Sequence, residues 1–152
     1  MTPEILQQLR DRATDVRARW EALLRIEPTS GPLANPDTLA LLIPQTLAQL
    51  LHSLVHRPAI RMTLAAAHAI RPPGCGCGYN PFVAYYVAAE QALVETVILI
   101  QAGLPAAVRI ESDVAEMVSA VRRTACAEIK TFCGICRHKG LVSDCLYPSQ
   151  GT

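Results

Sequence analysis

Between Ile5 and Leu24 apolar residues return every three or four positions, as Ile5, Leu6, Leu9, Ala13, Val16, Trp20, Leu23 and Leu24, with Arg10, Asp11, Asp15 and Arg19 among the polar positions. That period belongs to a helix with one buried stripe. Thr2, Pro3 and Glu4 supply an N-cap, a first-turn proline and an acid favoured by the helix dipole, so a helix is predicted to about Ile26, before Pro28. Trp20 lies on the stripe and reads as a core anchor.

Residues 28–36, PTSGPLANP, form a loop by composition and end on Asn35 and Pro36, a second cap and first-turn pair. The next helix carries Leu39, Ile43, Leu47, Leu50 and Leu54 on one face. Pro44 removes one ladder hydrogen bond and is expected to kink it, and Pro58 to end it. Residues 59–70 read as a short helical segment whose routing the pattern leaves open. Asn80 and Pro81 then open a third helix, apolar on most of its circumference, that stops at Gly103. Such a helix is central, or its spare face forms an interface, and a homodimer through that face is one expectation. A fourth helix runs from about Ala106 or Val108 to Phe132, with Val114, Met117, Val118, Val121, Ala125, Ile129 and Phe132 inward and Arg122, Arg123 and Lys130 outward. The expected fold is a single all-α domain over residues 1–152, an up-and-down four-helix bundle with an extra short helical segment between helices 2 and 3.

Composition narrows the partners. The chain is 51% hydrophobic but only 5% aromatic, the aliphatic mixture of packed helices, and its net charge of +1 is spread among acids. No basic stripe offers the counterion release that nucleic-acid binding needs. The first residues, MTPEILQQLRDR, contain no apolar leader core, and no stretch approaches about 18 uninterrupted apolar residues. A cytoplasmic protein without a membrane or nucleic-acid partner is expected, its protein partner unidentified.

The cysteines change the picture most. All six follow Thr63, clustered as CGC, Cys126, CGIC and Cys145. In a reducing compartment clustered thiols suit a metal better than disulfides. The short turn QAGLPAA makes helices 3 and 4 antiparallel neighbours. Reflecting the sequence about Leu104 then sets Cys75 level with Cys133 and Cys77 level with Thr131. Cys75, Cys77, Cys133 and Cys136 are therefore expected to meet at one bundle end, the ligand set of a closed zinc site or of an iron–sulfur cluster. Gly74, Gly76, Gly78 and Gly134 permit tight turns there. The stretch CGICRHKG resembles the zinc-knuckle turns of many zinc-binding modules, which implies zinc as the ion. Arg71, Arg137, Lys139 and the start of helix 3 ease the charge of about −2 left by four thiolates around zinc.

Cys145 and His138 are reserve ligands, and Cys126, a heptad before Cys133, reads as a buried core thiol. The leading expectation is a metal-binding helical protein with a structural or sensory four-cysteine zinc site. An iron–sulfur electron-transfer or redox-sensing protein is the alternative. A thiol–disulfide oxidoreductase comes third, because Cys133 and Cys136 sit near a helix C-terminus, where the dipole disfavours the thiolate. No other catalytic set is apparent. His52 and His56 lack the glutamate of a catalytic zinc helix, and His68 has no visible partner. Glu90 and Glu95 lack a following Glu-x-x-His pattern and stand about 140° apart around their helix, so they read as rim carboxylates. Tyr85 and Tyr86 read as packed rings with hydroxyls at the wet end of the bundle.

Overall fold

The computed structural model describes residues 1–26, 34–55, 63–70, 80–105 and 111–138. These residues are all-α, with no strand among them. The first predicted helix is two, α1 (Pro3–Asp11) and α2 (Ala13–Ile26), and its whole stripe apart from the half-buried Ala13 is buried. Arg12 leaves helical geometry at φ −97° and ψ 15°. Its N–H still donates to the Gln8 carbonyl and its carbonyl accepts from Val16, so the axis breaks with little loss of backbone bonding. No proline or glycine in this stretch announces the break.

The second predicted helix is α3 (Pro36–Ala40) followed by α4 (Ile43–Val55). Asn35 caps α3 by accepting from the Asp37 N–H at 2.9 Å. The break falls at Leu41 and Leu42, whose N–H groups donate to carbonyls only three residues back. Pro44 is the cause, since it has no N–H to donate toward Ala40 and its ring would crowd that carbonyl in a continuous helix. The predicted stripe from Leu39 to Leu54 is buried on both sides of the break. The loop 28–36 lies outside the described residues up to position 33.

After α5 (Leu64–Ala69), capped by Thr63, come the long helices α6 (Pro81–Ala102) and α7 (Glu111–His138). Contacts orient them. Asn80 Nδ2 donates to the Ile129 carbonyl at 3.2 Å, and Arg122 pairs with Glu90 at 2.7 Å, so α6 and α7 are antiparallel. The Thr2 N–H donates to Asp113 Oδ1 at 2.8 Å near the start of α7, and the Trp20 indole donates to the Tyr85 carbonyl at 3.0 Å near the start of α6. Helices α1 and α2 therefore run with α7 and against α6. Tyr85 also donates from its hydroxyl to Thr46 Oγ1, 2.9 Å away at the start of α4, and α4 then passes α2 and α1.

It follows that α4 and α6 run the same way. The alternation of direction expected from the sequence fails at this step, and α5 is the physical reason. Ala67 packs on Ala115 and Val118, and Arg122 Nη1 donates to the Ile70 carbonyl at 3.0 Å, so α5 lies along α7 in the direction of α7. It therefore runs opposite to α4 and α6, between which it lies in the chain.

One apolar cluster joins α1, α2, α3, α4, α6 and α7, with Trp20, Tyr85, Leu93 and Met117 fully enclosed. Helix α6 is central to it, contacting α1, α2 and α7. By length and composition alone it is also the one helix among the described residues long and apolar enough to cross a membrane. Half of that stretch is buried within the protein. Val87, Ile98 and Leu99 remain exposed on its outer side.

Candidate functional site

The cysteine-rich end of the α6–α7 hairpin begins with Asn80. Its backbone is extended, as an N-cap requires, and its Oδ1 accepts from the Phe82 N–H at 3.0 Å. Pro81 fills the first turn, so the sequence NP specifies this start. The same side chain is buried at 3% exposure and reaches α7, with Nδ2 donating to the Ile129 carbonyl and, at 3.7 Å, to Cys133 Sγ. Cys133 is itself buried, against the main core cluster.

Helix α7 continues through Cys133, Gly134 and Cys136 to His138. The knuckle-like turn expected at CGICRHKG is therefore not there over its helical part, and Gly134 stands on an open helix surface where an added Cβ would meet nothing within 4 Å. It serves neither a tight turn nor a close approach. A glycine inside a helix costs only about 1 kcal/mol relative to alanine, which the packed turns before it are enough to offset. Cys133 and Cys136, three apart in a helix, are neighbours across one turn. The side chains of Cys136, Arg137 and His138 lie outside the described part, as do Arg71, Gly74, Cys75, Gly76, Cys77, Gly78, Lys139 and Cys145. Among the described residues no group of three or more His, Cys, Asp or Glu side chains is placed to hold a metal ion.

The hairpin register differs from the expected one by about a turn. Reflection about Leu104 would set Glu90 level with Val118, whereas Glu90 pairs with Arg122, four residues on. The described part of α7 begins at Glu111, and residues 106–110 of the turn lie outside the described residues.

The other candidates resolve into packing. Arg122, expected outward, is 8% exposed and clamps Glu90 through Nε and Nη2, both at 2.7 Å. The pairing with Glu90 holds its guanidinium above the usual range against the opposing effect of burial. Arg19 grips Glu95 at the surface, at 2.7 and 3.1 Å, and this with Gln91 holds the Glu95 carboxyl below its usual value. Both carboxylates, read from the sequence as rim groups, are thus in ion pairs. The Tyr85 hydroxyl is not at a wet end but buried against Thr46, and burial pushes its pKa up to about 12. Burial raises Tyr86 further still, with Glu128 and Tyr85 adding to the effect. Cys126 is half-buried on α7, and His52 is exposed on α4. His56 and the side chain of His68 lie outside the described part.

Sequence reasoning found Asn80 as a cap and missed its bonds to α7. Nothing in the sequence NPF distinguishes a cap that faces solvent from one that faces a neighbouring helix. The inward turn of Arg122 had a faint signal, because it sits beside Val118, Val121 and Ala125 on the apolar side of α7. Compared with known proteins, the chain matches no protein-family model, no curated protein and no solved structure.

Proposed function

We propose that the chain is a small cytoplasmic metal-binding helical protein in which Cys75, Cys77, Cys133 and Cys136 hold one zinc ion, with a structural or sensory role and a protein partner of unidentified kind. The observation that supports this is the Asn80–Cys133 contact, which ties the start of α6 to the last turns of α7. Cys77 stands three residues before Asn80, and three residues of extended chain reach at most about 11 Å. The helical course of CGIC favours the reading in its own way, since two thiols one turn apart can face one ion. It also departs from the zinc-knuckle turn that CGICRHKG resembles.

Four thiolates would hold zinc tetrahedrally and leave no open position, which suits a structural site and not a hydrolytic one. Their excess charge sits against the negative end of the α7 dipole and is offset by the positive end of α6. The fold belonging to this proposal is a four-helix bundle with a single crossover through α5, and the outer face of α6 at Val87, Ile98 and Leu99 is the proposed homodimer surface. Light scattering of the purified chain tests the dimer, and a monomer at every concentration removes it.

Elemental analysis of protein purified without added metal tests the central claim. One zinc per chain, lost together with thermal stability on chelation, is the expected result. Iron with acid-labile sulfide and a brown colour would assign the site to a cluster with Cys145 as a ligand instead. Absence of any metal, with an unchanged melting midpoint after chelation, would end both readings.

A further inference from the structure

The outer stripe of α6 reads nearly the same from either end. Ala84, Val87, Gln91, Glu95, Ile98 and Ala102 fall within about 80° of arc on the helix and span a length of about 27 Å. Val87, Gln91, Ile98 and Ala102 are exposed, and Ala84 and Glu95 are half-buried. In order the stripe is small, branched, polar, polar, branched, small. Ala84 and Ala102, Val87 and Ile98, and Gln91 and Glu95 each lie symmetrically about position 93. A surface that meets its own copy across a two-fold axis has this property, because whatever residue i touches must in turn touch i.

The polar middle suits the same arrangement. Gln91 Nε2 donates to Glu95 Oε1 at 2.8 Å, and Arg19 of α2 holds the same carboxylate through Nε and Nη2. Glu95 would therefore enter an interface with its charge already met, which avoids the large cost of burying a lone charge. An amide nitrogen carries two protons, so Gln91 can serve its own Glu95 and that of a facing helix. A lipid surface would leave these groups without partners, whereas a second copy supplies them.

We propose that α6 pairs antiparallel with α6 of a second copy across a two-fold axis near position 93, with Val87 against Ile98 of the second copy and Gln91 against its Glu95. This rests on the homodimer reading of the same face and gives it a direction and a register. The alanines fall opposite one another at the two ends, where small side chains let the helices approach closely. The polar pair sets the register, since a slip of one turn brings Glu95 against a second Glu95 in one direction and against Val87 in the other.

The test combines sedimentation of the full chain with isotope-filtered NMR on an equal mixture of labelled and unlabelled chains. The wild-type chain is expected to be dimeric, with methyl contacts between Val87 of one chain and Ile98 of the other. Ile98→Glu, at an exposed position and with its helix content checked by circular dichroism, is expected to dimerise at least about tenfold more weakly. Contacts from Val87 to Val87 of the other chain would mean a parallel pairing and overturn this arrangement, leaving α6 as the dimer face. A dimer with no contact across α6, or one as tight in I98E as in wild type, overturns both the arrangement and that face. A wild-type monomer at every concentration does the same, and its flotation with phosphatidylcholine vesicles would assign the face to lipid instead.

Discussion

Tyr85 ties three helices together through one ring. Its carbonyl accepts from Trp20, its hydroxyl donates to Thr46, and its ring centroid lies 4.8 Å from that of Trp20. The Trp20 side chain is wholly enclosed, so Trp20→Ala leaves a cavity and removes the indole's bond to the Tyr85 carbonyl. A loss of about 3–5 kcal/mol in urea unfolding, followed by circular dichroism, is expected. Alkali gives a second check. A phenol whose folded pKa is raised from 10 to about 12 binds its proton more tightly when folded. Its contribution is therefore complete below pH 10 and declines as pH rises from 10 toward 12. Tyr85→Phe should flatten this decline in a pH series of unfolding midpoints, at a cost of about 1–2 kcal/mol at neutral pH from the partner lost to Thr46.

Arg19–Glu95 and Arg122–Glu90 both tie helices to α6, and their burial decides what each contributes. Arg19–Glu95 links α2 to α6 at the surface, where water and salt screen it. Its effect is small and dependent on pH: the depressed carboxyl stabilises the fold above its usual value of 4.5 and loses that contribution as pH falls below it. Glu95→Gln should show less acid sensitivity than wild type over that interval, as read by thermal melts. Arg122–Glu90 is different, with the Arg122 side chain at 10% exposure and the Ile70 carbonyl also in its grip. Arg122→Met strands a carboxylate and a carbonyl and is expected to cost about 3 kcal/mol. Arg122→Met with Glu90→Leu should recover much of it. Hydrogen exchange in α5 should quicken in both variants, because both release Ile70. Unchanged protection of α5 would show that its packing through Ala67 suffices.

The described residues form a set of helices in which α5 runs opposite to α4 and α6. A far-UV spectrum of helix without strand is the plain expectation. If the four thiols share an ion, Cys75→Ser and Cys133→Ser should each remove metal and lower the melting midpoint, and the pair together should add little to either alone, since a site loses its ion only once. Cys126→Ser should keep the metal and cost about 1 kcal/mol of packing. Full metal content in both Cys75→Ser and Cys133→Ser would separate the two cysteine groups.

The sequence by itself determined that these segments are helical and most of the faces they bury. The stripes of α1, α2, α3, α4 and α7 follow from the recurrence of apolar residues, and the Asn80–Pro81 start, the Gly103 stop and the Pro44 break follow from backbone chemistry at single residues. Such signals are local, so a sequence carries them in full. The tertiary structure decided everything that depends on two distant segments at once. It set the parallel course of α4 and α6, the inward turn of Arg122, the buried hydroxyl of Tyr85 and the reach of Asn80 to Cys133. It also carried α7 through Gly134. Each of these depends on what lies opposite in space, and a pattern read along one strand of chain has no access to that.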